Sequence, residues 1–316
     1  MVFSGEERDD RVVDGPPGQE RPFDLSPNPR FLCFTPQHRE ALAHLEYGLA
    51  GRPGVTVLVG EAGTGKTTLV RKALQASSGA STIVHLSNPT LTRAEFYEYI
   101  AAGFGFSDEA GRSKIQFLRD VESALNDPAA PRLALIVDEA QSVPYELLEE
   151  IRLLTNAESS IGRSIAVVLV GQPELGRRLD EARLRQLKQR VVLRCELTPL
   201  SLKDTAAYIS ARVKTAGGEA TRLFSRDAVI AIHQYSTGIP RVISVICDNA
   251  LVNGFAADQK PVGAGTVMEV CRSLALPLDD AKPAPAPAPV RAPEPVPVAA
   301  RAPMFSGFAR RRFSFF

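Results

Sequence analysis

The sequence predicts an α/β fold: a five-stranded parallel sheet with helices on both faces, followed by a small all-helical domain. Three observations carry the prediction. Five short apolar runs alternate with helix-patterned segments between residues 36 and 197, and strands that alternate with helices pair in parallel. Leu133–Val137 and Ile165–Val170 are continuous apolar runs, as strands buried on both faces require. After Leu197 the strand pattern stops and every patterned segment is helical.

Taken in order, residues 1–21 are charged and rich in Gly and Pro, and read as a disordered leader. The α/β domain spans 22–197. It opens on RPFDLSPNPRFLCF, where the prolines with Phe23, Phe31 and Phe34 predict an extended segment pinned by aromatics. A helix follows from Pro36 with Thr35 as N-cap. The strands are 55–60, 81–86, 133–137, 165–171 and 191–197. Between them, helices are expected at Thr67–Gln75, Arg93–Ala102, Lys114–Leu125 and Tyr145–Thr155, and one long charged helix at Glu174–Arg190. The helical domain, 198–277, carries helices at Leu202–Thr215, Arg226–Tyr235, Pro240–Asn253 and Thr266–Leu274, the first capped by Ser201 with Asp204 three residues on. Residues 278–303 form a Pro/Ala-rich linker holding eight of the 24 prolines in its 282–303 stretch, and 304–316 a tail in which arginines and phenylalanines interleave.

Composition narrows the function classes. With 44% hydrophobic and 23% charged residues the chain is neither fibrous nor mainly disordered. Its longest apolar runs are too short to span a bilayer, and MVFSGEERDD lacks the pattern of a signal peptide. Four scattered cysteines, Cys33, Cys195, Cys247 and Cys271, form no C-x-x-C pair, and His38, His44, His85 and His233 have no metal-ligand spacing. A reducing, cytoplasmic setting is expected. Residues 1–281 hold 31 basic and 35 acidic residues, so nucleic acid is a possible but not a favoured partner. The tail, by contrast, carries Arg310, Arg311 and Arg312 and suits an anionic membrane surface or an acidic partner protein.

Residues 60–67 read GEAGTGKT and match G-x-x-x-x-G-K-[ST], between a strand and a helix. Glycines let the backbone turn so that successive N–H groups face phosphates, and the helix adds its positive dipole end. Lys66 is placed to reach the β- and γ-phosphates and the Thr67 hydroxyl to ligate Mg²⁺. The phosphate-binding set is Gly60, Glu61, Ala62, Gly63, Thr64, Gly65, Lys66, Thr67 and Thr68. The third strand ends in Asp138-Glu139, and the C-terminal end of a buried parallel strand is where ligands bind in open α/β sheets. Asp138 would hold Mg²⁺ through water and Glu139 would polarise the attacking water, unless the strand simply exits into a polar loop. Gln172, directly after the fourth strand, either orients that water or caps the helix at Pro173. Arg241 lies in the first turn of a helix, where the dipole disfavours a cation, so either a γ-phosphate across the cleft is its partner or it is an ordinary surface arginine. Arg190, or else Arg185, is a candidate arginine donated to a neighbouring subunit's nucleotide; both also fit a solvated basic face.

Together these residues resemble the AAA+ ATPases, and more narrowly the general secretion pathway protein A (ExeA-like) branch. The similar segments are RPFDLSPNPRFL, TPQHREALAHL, GEAGTGKTTL, LIVDEAQ, LLEEIRLLTN, VLVGQPEL, LRQLKQRV and GIPRVISVICDNAL, over roughly residues 21–275. The resemblance implies a P-loop NTPase core with a helical lid, and ATP and Mg²⁺ as ligands. It implies Asp138 and Glu139 as the Walker B pair, Gln172 as sensor 1, Arg241 as sensor 2, and segment 34–41 near the adenine. It further implies ATP hydrolysis, homo-oligomeric assembly and service to an envelope secretion, pilus or exopolysaccharide-export system, in the cytoplasm or peripherally at the inner membrane. The alternatives are a DNA-binding helper ATPase of the transposition type and a nucleotide-dependent scaffold with little turnover.

Overall fold

Apolar runs set the sheet, and the sheet sets the rest. The computed structural model describes residues 21–24, 35–50, 54–77, 81–87, 89–157 and 159–277. The expectations for the leader before Arg21, for Phe31, Cys33 and Phe34, and for the linker and tail lie outside these residues.

Helix α1 (Pro36–Leu49) starts where Thr35 caps it, the Thr35 hydroxyl accepting from the His38 N–H. Strand β1 (Val55–Gly60), α2 (Lys66–Ala76) and β2 (Ser81–Leu86) follow. Next come α3 (Arg93–Phe104), α4 (Asp108–Arg112), α5 (Lys114–Asn126), β3 (Arg132–Val137) and α6 (Tyr145–Leu154). Strand β4 (Ala166–Gly171), α7 (Pro173–Leu179), α8 (Arg185–Lys188) and β5 (Val191–Leu197) complete the α/β part. Helices α9 (Leu202–Thr215), α10 (Ala220–Leu223), α11 (Arg226–Ser236), α12 (Pro240–Ala256) and α13 (Ala264–Ser273) form the helical domain. The short helices α4 and α10 carry no hydrophobic period long enough to be read from sequence.

The strands are all parallel in the order β2-β3-β4-β1-β5. Strand β1 sits between β4 and β5, while its own continuation, β2, lies at the far edge. The connections that leave the neighbouring strands β1 and β4 therefore run in opposite directions across the sheet, which opens a crevice at their carboxyl ends. Strands β1 and β4 are buried at every position, and β3 at all but its first. The edge strand β5 instead alternates from Val192, with Val192, Arg194 and Glu196 outward and Cys195 and Leu197 buried. Val57, Leu135 and Leu169 point to one face, where α3, α5, α6 and α7 bury Phe96, Phe117, Leu147 and Leu175. Leu58, Ile136 and Val168 point to the other, against Leu45 of α1 and Leu69 of α2.

One expected element breaks. The long helix at Glu174–Arg190 is α7, a 3-10 turn at Ala182–Leu184, and α8. Leu179 and Leu184 are both buried, yet five residues of straight helix would turn them apart by about 140°. Breaking the helix after Leu179 lets both face the same core.

The helical domain has its own core, built from Ile209, Val213, Ile232, Ile246 and Val267 among others. Phe23, placed by sequence at the start of the α/β domain, belongs to this core: it is 1% exposed and meets Phe224 edge-on at 6.0 Å. Buried Arg212 holds the same segment through the Pro22 carbonyl (2.6 Å) and the Asp24 carbonyl (2.9 Å). Among the described residues, no helix is long and apolar enough to cross a membrane.

Candidate active site

The GEAGTGKT segment leaves β1 at Gly60 and enters α2 at Lys66, with Gly65 in the N-cap position at φ +100°. Lys66 is 5% exposed, and its Nζ donates to the Gly60 carbonyl (2.9 Å) and the Glu61 carbonyl (3.0 Å). Burial lowers the Lys66 pKa, while the charges of Glu139, Asp138 and Glu61 pull it back up. Glu61 and Ala62 face solvent, Thr64 is buried and bonds back to the Glu61 carbonyl at 2.8 Å, and Thr67 and Thr68 are half-buried. The loop thus forms a turn around the ammonium of its own lysine.

Helix α1 braces this turn from outside. His38 Nε2 lies 3.3 Å from the Thr64 carbonyl and its Nδ1 2.6 Å from the Thr35 hydroxyl. A carbonyl only accepts, so Nε2 carries the proton and Nδ1 accepts from Thr35. Burial lowers the His38 pKa, which agrees with a neutral ring. Residues 35–41 therefore reach the loop through His38.

At the end of β3, the Asp138 amide donates to the Leu86 carbonyl of β2 at 2.9 Å. The Asp138 carboxylate accepts from the Glu139 amide (2.9 Å) and from the Thr67 hydroxyl (3.3 Å). Behind it stands His85 of β2, with Nε2 4.0 Å from Asp138 Oδ2. Thr67 and Asp138 are hard oxygen donors, and two such protein ligands suit a Mg²⁺ whose other positions go to phosphate and water. The donor set fits the metal.

Glu139 adopts φ +50°, a left-handed conformation that costs a non-glycine residue about 1 kcal/mol. The turn it makes throws its carboxylate toward the end of β4, where Gln172 Nε2 donates to Glu139 Oε2 at 3.3 Å. Gln172 occupies the N-cap position of α7, yet its side chain caps nothing there. Its side chain goes to the carboxylate instead.

Arg241 comes from the helical domain. Its backbone amide donates to the Gly63 carbonyl at 3.2 Å, so the first turn of α12 touches the loop directly. Its exposed side chain makes no hydrogen bond or ion pair among the described residues. Arg190 is elsewhere. It precedes β5, whose first residue Val191 pairs with Val55, so it lies at the end of the sheet opposite Gly60 and bonds to Asn156 at 2.6 Å. Arg185 opens α8 and is exposed. The structure thus gathers Lys66, Thr67, Asp138, Glu139, Gln172 and the Arg241 backbone, and leaves Arg190 at the opposite end of the sheet. Sequence reasoning assigned no role to Gln141 or His85. Gln141 sits two residues from Glu139, a separation that a helix does not turn into a contact.

The AAA domain family matches residues 50–179. General secretion pathway protein A of Aeromonas hydrophila is 40% identical over 250 residues, which cover 78% of this chain and 46% of that protein. The chain therefore matches less than half the length of this curated relative. Two solved structures share the fold. The ORC2 protein of Aeropyrum pernix, in its ADPNP–ADP complexes, has a TM-score of 0.59 at 17% identity, covering 81% of this chain and 72% of its own. Cdc6p of Pyrobaculum aerophilum has a TM-score of 0.59 at 16% identity, covering 80% and 70%. The chain thus has the P-loop AAA+ fold, carries an AAA domain over residues 50–179, and is similar to general secretion pathway protein A over 250 residues.

Proposed function

We propose that this chain binds ATP with Mg²⁺, hydrolyses it to ADP and phosphate, and uses that turnover to support assembly or operation of an envelope secretion, pilus or exopolysaccharide-export system. The observation that carries the chemistry is the meeting of Thr67 and Asp138 at 3.3 Å across 71 residues of sequence, with Glu139 next in the chain and held by Gln172. A phosphate loop alone binds anions. A loop with a metal-binding pair and an adjacent carboxylate also places a base beside the transferred group.

In this reading Lys66 exchanges its two loop carbonyls for the β- and γ-phosphates. Thr67 and Asp138 would hold Mg²⁺, which would neutralise phosphate charge. Glu139 accepts a proton from the attacking water, and Gln172 fixes where that water stands. Arg241, already at the loop, turns its guanidinium to the γ-phosphate. Arg190 or Arg185 acts on the nucleotide of the next subunit in a homo-oligomer. The system served is read from the secretion protein's name, and the site of action is the cytoplasm or the inner face of the inner membrane.

The test separates binding from turnover. Lys66→Ala removes the ammonium that meets the phosphates, and ATP binding should be lost in a titration with labelled nucleotide. Glu139→Gln keeps shape but cannot act as a base, so ATP should bind with wild-type affinity while phosphate release falls by about 100-fold or more. Unchanged affinity in the first variant, or turnover near wild type in the second, overturns the assignment. Proteins retained by the ATP-loaded Glu139→Gln form then identify the system.

A further inference from the structure

The Glu139 carboxylate is held by more than Gln172. Gln141, in the 3-10 turn after Glu139, donates from Nε2 to the same oxygen, Glu139 Oε2, at 2.5 Å. Its other end is fixed as well, since the Gln172 amide donates to Gln141 Oε1 at 3.0 Å. A backbone N–H can only donate, so the oxygen of the Gln141 amide must face it and the NH₂ must face Glu139. The amide has one orientation. Glu139, Gln141 and Gln172 close a ring of three hydrogen bonds, and both side-chain amides end on Oε2. Oε1 is the carboxylate oxygen that neither amide occupies.

The surroundings are shaped for this side chain. A Cβ on Gly171 would stand 2.7 Å from Gln141 Oε1, so the end of β4 has room for the amide only as glycine. The Gln141 main chain is tied down separately, its carbonyl accepting from Arg178, which also donates to the Val143 carbonyl at 2.8 Å.

We propose that Gln141 is the positioning residue for Glu139: it clamps Oε2 to the end of β4, so that Oε1 is presented to the attacking water in one orientation. Resting on the hydrolytic reading above, it assigns Gln141 a role in the chemical step and none in nucleotide binding. Misplacing a catalytic group by about 1 Å can cost on the order of 100-fold in rate, so loss of one of two tethers should cost about tenfold.

Three variants of the full chain test it. Gln141→Met fills the same volume without a hydrogen bond. Gln141→Glu can still accept from the Gln172 amide but sets a carboxylate against Glu139. Gln141→Met in a Glu139→Gln background asks whether the effect passes through Glu139. In the single variants, kcat should fall about tenfold for Met and further for Glu, with KM and ATP affinity within about twofold of wild type. In the Glu139→Gln background the Met change should cost nothing more. Wild-type kcat in both single variants, or a raised kcat, overturns the proposal, as does an equal further loss in the double variant. A wild-type chain that binds ATP without releasing phosphate refutes the hydrolytic reading itself, before any variant is compared, and the role of Gln141 with it.

Discussion

Gly63 stands where the phosphate loop meets the helical domain. Its φ of +85° is left-handed, and a Cβ there would lie 2.7 Å from Arg241 Cβ and 3.1 Å from Ile239 Cγ2. Gly63→Ala therefore meets two penalties: roughly 1–2 kcal/mol for the backbone, and the displacement of α12 from the loop. Denaturant unfolding should show the first as a lower midpoint. Nucleotide titration should show the second as weaker ATP binding, because the Arg241 amide gives up the Gly63 carbonyl. Wild-type affinity in a destabilised Gly63→Ala chain would mean that the contact between α12 and the loop plays no part in binding.

Among the elements, α3, α5 and α6 are joined by one buried carboxylate. Glu150 of α6 is 3% exposed and accepts from Tyr97 (2.6 Å) and Lys114 (2.6 Å), while Arg93 lies at 3.0 Å. Burial pushes its pKa up, but the hydrogen bonds from Lys114 and Tyr97 and the charges of Lys114 and Arg93 outweigh that, and the net direction is down. Burial, with the same bond, pushes the Tyr97 hydroxyl well above its ordinary value. A carboxyl whose pKa is lower folded than unfolded binds its proton more readily when unfolded. Its contribution is thus complete above the unfolded value of 4.5 and drains away as pH falls through the folded one. Glu150→Gln should lose about 1–2 kcal/mol at neutral pH and show a flatter stability profile as the pH falls below 4.5. Urea midpoints across that range measure both; equal slopes in the two proteins would remove Glu150 from the acid response.

Across the whole molecule, the N-terminal segment and the helical domain are one structural problem. Phe23 precedes the α/β sheet in sequence but fills the helical core, with Arg212 gripping the carbonyls on either side. Phe23→Ala removes a fully buried aromatic ring and should cost about 3–5 kcal/mol in the helical domain. Hydrogen exchange should rise in α9 and α11 more than in the central strands. Uniform protection in the variant would place the ring outside that core.

The sequence by itself determined the strands, the loop and the succession of sheet and helices. The bounds of β1, β2 and β5 are those of their apolar runs, and Ser201 caps α9 as its spacing to Asp204 implies. Such features are local, encoded in periods of two and 3.6 residues and in the residues that start or stop a helix. The phosphate loop was legible for the same reason: its glycines, lysine and threonine act within eight consecutive residues. Only the tertiary structure decided that α7 and α8 are separate, that Phe23 packs in the helical core, that His38 braces Thr64, and that Gln141 bridges Glu139 and Gln172. These depend on which distant surfaces are buried together. The break between α7 and α8 satisfies a core that neither segment specifies alone. The Gln141 contact needs both the left-handed turn at Glu139 and a glycine at the end of a strand 30 residues further along the chain. A pattern read along the chain fixes which face a residue takes. The residue across from it is set by the sheet order, which exists only once the strands have packed.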